Sequence, residues 1–333
     1  MPRPISVTDA TPNGEATPAM RVVLVTMDSH LLSAVERTQR EFARTLPTLT
    51  LSAHAASEWS ERPSALERCV SDIARADIVI VTMLFMEDHF RPVLDALQAR
   101  REHCDAMVCA MSAGEVTRLT RMGRFSMDGS SSSPAMALLK KLREKVMKKE
   151  PGEPKSGGSS AGERQMKMLR RLPQLLRFVP GTAQDVRAYF LVLQYWLAGS
   201  QENISGLVRL LVERYADGPR RSLRALARPQ APVEYPEIGL YHPRMQAPDT
   251  GRMGEAITLM PRVATSGTRG TVGILLLRSY LLAGNTSHYD GVITALEARG
   301  LKVLPCFASG LDARPAMERY FMRDGVSQVD AII

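Results

Sequence analysis

From Arg21 onward, short apolar runs alternate with stretches in which apolar residues recur every three or four positions. Val22-Val23-Leu24-Val25-Thr26 is a β-branched run with no polar face, the pattern of a strand covered on both sides. Asp28-Ser29 then signals a helix start, and Leu32, Val35, Phe42 and Leu46 follow at helical spacing. Leu49–His54 alternates like a second strand, and Pro63–Ala76 carries Leu66, Val70 and Ile73 on one helical face. The spacing predicts a third strand over Asp77–Thr82, a third helix over Glu87–Arg101 and a fourth strand over Asp105–Met111. Ser112, with Glu115 three residues on, reads as a capping box opening a fourth helix that runs to about Met122. Four strand–helix units of about thirty residues imply right-handed crossovers and a parallel sheet with helices on both faces, a flavodoxin-like α/β domain over 21–125.

The pattern then breaks. Residues 126–164 hold Ser130–Ser133, a Glu-Pro-Gly-Glu-Pro run and Ser-Gly-Gly-Ser-Ser, which reads as a basic Gly/Ser/Pro-rich linker, with Lys140–Lys149 as a short basic helix inside it. A helical segment covers 165–228. Met166, Leu169, Leu172, Leu175 and Leu176 share one side, Pro180-Gly181 interrupts, Thr182 caps a helix through Trp196, and Asn203–Ala216 forms another. A second α/β unit occupies 229–333. Ile238–Tyr241 opens it, Gly273–Leu277, Leu301–Phe307 and Val329–Ile333 are strands, and His288–Arg299 and Arg314–Asp324 are helices. The last strand has no turn or helix after it, so the chain reads as the front part of a longer protein with a truncated second domain. Residues 1–20, rich in Pro, Thr, Asp and Asn, read as a disordered leader without the apolar core of a signal peptide.

Composition narrows the function classes. With 44% hydrophobic and 23% charged residues over 333 positions, the chain is neither collagenous, coiled-coil nor fully disordered. The longest apolar runs fall short of the roughly 18–20 residues of a membrane span, which points to the cytoplasm with at most peripheral membrane contact. The four cysteines form no CxxC pair and no zinc spacing, so they read as buried reduced thiols, and no metal site is expected. Net charge is +8, yet residues 139–171 alone hold eleven basic against four acidic residues. That segment has no aromatic residue and is interrupted by Gly, Ser and Pro, a solvated linker and not a nucleic-acid face.

Several segments in fixed order carry a specific resemblance. They are Ala76–Leu84 with Glu87-Asp88-His89, Cys104–Val108, Met111–Val116, Phe178–Asp185, Leu193–Trp196, Val233–Glu237 with Leu240–Pro243, and Phe307–Asp312. Together they closely resemble the N-terminal region of the large, porphyrin-binding H subunit of magnesium chelatase, which is related to the large subunit of cobaltochelatase. The resemblance covers about Arg21 to Ile333. It implies a role in ATP-dependent insertion of Mg²⁺ into protoporphyrin IX, in chlorophyll and bacteriochlorophyll synthesis. It also implies that two smaller motor-type subunits bind the ATP, and that the next enzyme, a Mg-porphyrin methyltransferase, is a further partner. The residues usually proposed for metal insertion are expected beyond Ile333, so no catalytic residue is assigned and this part alone is expected to be inactive. A non-catalytic porphyrin- or partner-binding module is the alternative.

The residues themselves agree that ATP belongs elsewhere. The glycines at 267–273 precede a strand instead of leading from one into a helix, so there is no phosphate loop, and a nucleotide-binding regulator lacks its Gly-rich turn. Glu87-Asp88-His89, Asp28-Ser29-His30 and Ser112–Glu115 are explained by helix starts. Six residues remain as porphyrin-proximal candidates. His242 follows the opening strand of the second unit, and an imidazole there has a pKa suited to taking a pyrrole proton. Tyr280, His288 and Tyr289 flank the loop after the 274–277 strand, and Phe307 and Ser309 end the next strand. In a parallel sheet these ends share the edge where ligands bind.

Overall fold

The computed structural model describes residues 19–27, 29–128, 173–174, 176–261, 269–310 and 312–333. The leader up to residue 18, nearly all of the 126–164 linker, most of the helix expected over 164–177, and Asp28 lie outside the described residues.

Strands β1 (Met20–Thr26), β2 (Leu49–Ala55), β3 (Ile78–Thr82) and β4 (Ala106–Ala110) form the parallel part of the first sheet, in the order β2-β1-β3-β4. That order is the flavodoxin-like one, with the chain reversing direction at β1/β3. Alternate residues point to opposite faces, and both faces are covered. Val22, Leu24, Ile78, Ile80 and Val108 lie in one core cluster with Phe42 of α1 (Leu32–Thr45). Val23, Val25, Val79, Val81 and Cys109 lie in another, beneath α2 (Pro63–Arg75) and α3 (Glu87–Arg101). A strand with no solvent face has no polar residue to place, which is why these strands read as unbroken apolar runs.

The fourth helix is shorter than its pattern suggests. α4 is only Gly114–Thr117, and Arg121–Met122 and Phe125–Ser126 form an antiparallel hairpin, β5 and β6, extending the sheet beyond β4. Gly123 turns at φ +57°, a conformation that frees the chain from the helix. Met122 and Phe125 go into the core, and the carboxylate of Asp185 accepts the Arg124 N–H at 3.0 Å. The capping box is not made either. The Ser112 hydroxyl donates to Ala110 O at 3.1 Å and accepts from Leu84 N–H at 3.1 Å, so it ties the loops after β3 and β4 together.

Helices α5 (Thr182–Ala198) and α6 (Gln201–Tyr215) lie on the same face as α1. Val186, Trp196, Ile204 and Leu211 share the cluster of Val22 and Phe42. At the opposite sheet edge, Arg220 pairs with Asp105 through two bonds of 2.8 and 3.1 Å and with Asp77 at 3.3 Å, clamping the segment after α6 to the starts of β3 and β4. The chain then crosses to the second unit. Asn203, fully buried, donates its amide to Val233 O at 3.0 Å and accepts Val233 N–H at 2.9 Å.

The second sheet has the order β13-β9-β10-β7-β8, from β7 (Ile238–Tyr241), β8 (Met253–Gly254), β9 (Gly270–Leu277), β10 (Leu301–Ala308) and β13 (Ala331–Ile332). β9, β10 and β13 are parallel, but β7 runs antiparallel to β10, and β8 antiparallel to β7. The sheet is mixed, a correction to the purely parallel arrangement expected around the opening strand. α7 (Arg278–Leu282) and α8 (Ser287–Glu297) connect β9 to β10, and α9 (Arg314–Tyr320) leads to a small β11–β12 hairpin at Met322–Ser327. All four cysteines are buried and unpaired, and burial pushes the Cys69 and Cys306 thiols up to about 12. No helix among the described residues is long and apolar enough to cross a membrane.

Candidate functional site

The reversed direction of β7 separates the six candidates. In its register with β10, Ile238 lies beside Ala308, so the end of β7 points away from the ends of β9 and β10. His242 therefore sits toward the far end of α8, bonded through Nε2 to Glu297 at 3.0 Å. Its Nδ1 accepts the Arg244 N–H at 3.1 Å, which makes Nε2 the protonated nitrogen of the neutral ring. Burial pushes its pKa below the usual value against the pull of Glu297. Both nitrogens are engaged within the protein, and His242 is 1% exposed. Phe307 is likewise inside the core, against Gly239, where a Cβ would come within 2.6 Å of its ring. Ser309 is exposed at the sheet edge, its N–H donating to Glu237 O at 2.6 Å.

The remaining three come together, and a fourth ring joins them. Tyr280 of α7 meets His288 edge-on at 5.7 Å and Tyr289 at 6.4 Å, and the His288 and Tyr289 centroids are 3.9 Å apart. On its other side Tyr280 stacks on His30 of the first unit at 5.9 Å and 21°. The Tyr289 hydroxyl accepts Leu277 N–H at 3.2 Å, fixing the ring over the end of β9. His30 follows β1 and Tyr280 follows β9, so the C-terminal edges of the two sheets face each other here. Backbone contacts hold the junction. Asn285 donates to His30 O at 2.9 Å, Ser33 to Ala283 O at 3.3 Å, and Arg37 to Ala283 O. The sequence offered His30 only as part of a helix start, because its partner lies 250 residues away.

Chemically the cluster is a set of π-faces with two imidazoles, of which His288 is exposed and Tyr280 and Tyr289 are half-buried. Such a surface suits a flat apolar ligand with a polar rim. Among the described residues no group of three or more His, Cys, Asp or Glu side chains gathers as a metal site. Glu87 and Asp88 open α3, where the helix dipole favours them.

Comparison with known proteins places this architecture. Residues 21–190 match the family described as a domain of unknown function, DUF3479, and residues 193–333 match the CobN/Magnesium Chelatase family. The magnesium-chelatase H subunit of Cereibacter sphaeroides is 47% identical over 317 residues, covering 95% of this chain and 25% of that protein. The H subunit of Rhodobacter capsulatus is 44% identical over 90% of this chain and 24% of its own length. The chloroplastic magnesium-chelatase ChlH subunit of Oryza sativa subsp. indica is 29% identical over 93% of this chain and 22% of its own. The chain thus spans about a quarter of the length of these curated relatives. A solved structure of the catalytic subunit of cobaltochelatase from Mycobacterium tuberculosis covers 91% of this chain and 18% of its own at 14% identity, with a TM-score of 0.39. The chain belongs to the DUF3479 family, whose model covers its first half; its second half matches the CobN/Magnesium Chelatase model, and the whole resembles the N-terminal region of the magnesium-chelatase H subunit.

Proposed function

We infer that this chain serves as the N-terminal part of the porphyrin-handling large subunit of an ATP-dependent magnesium chelatase, working in the cytoplasm on bacteriochlorophyll or chlorophyll synthesis. The observation that carries the reading is the 47% identity to an H subunit along 95% of the chain, a match that takes in both units. Protoporphyrin IX and Mg²⁺ are the substrates of the complex. ATP is hydrolysed by the two smaller motor-type subunits, in keeping with a sequence that has no phosphate loop. A Mg-porphyrin methyltransferase, which would take the product, is a further partner.

Within that reading, Tyr280, His288 and Tyr289, with His30 opposite them, form the surface that meets the macrocycle. Ser309 lies at the same sheet edge as β9 and β10 end. Supplied with the two motor subunits, ATP, Mg²⁺ and protoporphyrin, the chain alone should give no Mg-porphyrin fluorescence. It should still bind deuteroporphyrin and quench its own tryptophan emission, and replacing both Tyr280 and His288 by Ala should weaken that quenching by about tenfold or more in concentration, from loss of aromatic contact area. Detectable product from the chain alone overturns the placement of the insertion chemistry in another part of the subunit. Quenching indifferent to both residues overturns the aromatic surface.

A further inference from the structure

A cavity of about 310 Å³ opens where α1, the turn between α5 and α6, and the second unit meet. Its walls include Arg37, Arg252, Tyr235 and Tyr241, with Leu281 and Leu282 supplying apolar surface. Arg37 reaches across from the first unit. Its guanidinium donates to Ala283 O and lies against Gly284, where a Cβ would come 2.7 Å from Nη2. Gly284 also turns at φ +70°, so this seat is one that glycine alone leaves open. Among the described residues Arg37 meets no carboxylate. The other cation is partly committed. Arg252 faces Asp290 at 3.6 Å, and the same carboxylate already accepts the Tyr241 phenol at 2.6 Å and the Thr286 hydroxyl at 3.0 Å. Glu202, exposed at the rim, meets the Tyr235 hydroxyl at 3.4 Å.

A guanidinium held by one backbone bond keeps its remaining N–H donors for another acceptor. Its planar fork fits a carboxylate in a bidentate manner. The neighbouring leucines and phenol rings suit a short hydrocarbon arm, and the volume is that of a small ligand. We propose that this cavity is a carboxylate site: it takes a carboxylate borne on a short apolar arm, with Arg37 as the anchor and Arg252 as the second cation. Because its walls come from both units, an occupant ties α1 to the second sheet. A free aryl- or alkylpropionic acid carries this chemistry, and so does a propionate arm of a tetrapyrrole. The second source rests on the porphyrin reading above, and the first does not.

Calorimetric titration with 3-phenylpropionate and its uncharged amide tests the site. The acid should bind at least about tenfold more tightly than the amide. Arg37→Gln should abolish that preference, and Glu202→Gln, which removes an opposing charge at the rim, should strengthen acid binding by about two- to threefold. Circular dichroism checks that R37Q is folded. Should it not be, R37K keeps the charge without the fork and should weaken acid binding while leaving the amide unchanged. Equal binding of acid and amide, no binding of either, or a preference that survives in R37Q overturns the proposal. Deuteroporphyrin and its dimethyl ester then separate the sources. An ester penalty that disappears in R37Q assigns the arm to a tetrapyrrole. Deuteroporphyrin binding indifferent to Arg37, with phenylpropionate still bound, assigns it to a free acid. Loss of all porphyrin binding with phenylpropionate retained sinks the porphyrin reading and leaves the carboxylate site standing.

Discussion

The two α/β units use similar elements to different ends. In the first, the central strands β1, β3 and β4 are buried along nearly their whole length, with helices on both faces. In the second, β9 ends in the exposed Leu277, and β13 lies at an edge with Ile332 exposed. The first unit also holds both tryptophans, Trp59 and Trp196, each nearly buried. The second supplies three of the four rings of the aromatic cluster and most of the cavity wall. A fully covered sheet makes a rigid support and leaves little surface for chemistry, whereas a partly open one presents side chains. The difference suggests a platform and a presenting face that meet where their sheet edges oppose.

The sharpest way to break that division is to damage each core separately. Phe42 and Phe307 are both fully buried, and truncating either to Ala should cost about 3–5 kcal/mol. Phe42→Ala should lower the tryptophan-detected melting midpoint. Phe307→Ala should lower the far-ultraviolet dichroism midpoint while tryptophan emission responds less. If both probes move together in both variants, the units melt as one body and the division has no energetic content.

Carboxylates give a smaller contrast. Asp105, its side chain only 8% exposed, has two bonds to Arg220 and a third from Asp217 N–H at 3.0 Å, so Asp105→Asn should cost the first unit about 2–3 kcal/mol. In the second unit Glu297 joins His242 to the exposed Arg244, and Glu297→Gln still accepts from the neutral imidazole, so about 1 kcal/mol is expected in thermal or urea melts. Equal costs would remove the contrast.

Acid should act on both units more gently. Burial lowers the pKa of His54 in the first and of His242 in the second, in each case against a carboxylate neighbour that raises it. Near the ordinary value of 6.5 the unfolded chain takes up protons that the folded chain refuses. Stability is therefore full above that pH and falls as pH drops below it, until the lowered folded values are passed. Melting curves from pH 8 to 5 should show the decline. His54→Gln should flatten the tryptophan-detected part, and His242→Gln the dichroism-detected part.

The smallest effect expected is none. Trypsin should cut first within the Lys- and Arg-rich 126–164 stretch, yet the nicked chain should elute from gel filtration as the parent does, because α5 and α6 share the core cluster of β1 and α1. Separation of the pieces would show that this shared core does not hold them.

The contrast between the units also explains what could be read beforehand. Val22–Thr26, Ile78–Thr82 and Ala106–Ala110 announce themselves because burial on both faces leaves no polar position to confuse the pattern. Ile238–Tyr241 is equally visible as a strand, but four apolar residues carry no record of direction. That is set by the turn through 243–252 and the pairing with β8. The fourth helix, expected to run to about Met122, stops at Thr117, and the hairpin at 121–126 turns on Gly123. Ser112 has the spacing of a cap, yet a bond to Leu84 N–H is available across the sheet. The site was legible in part. Tyr280, His288 and Tyr289 are near neighbours in sequence and meet in space. His30 and Arg37 complete the junction from far upstream, and no local pattern connects them to it.

One amide pins the crossing between the units at Val233. Asn203 presents a donor and an acceptor to the two main-chain groups of Val233, as a neighbouring strand would. Aspartate has nearly the same shape and differs by a single nucleotide, but it would set a carboxylate oxygen against the Val233 carbonyl with no hydrogen between them. Leucine would fill the space and leave both main-chain groups unanswered. The position thus behaves as a heritable lock of chemistry and not of size: drift can visit it easily in the gene and hardly at all in the protein.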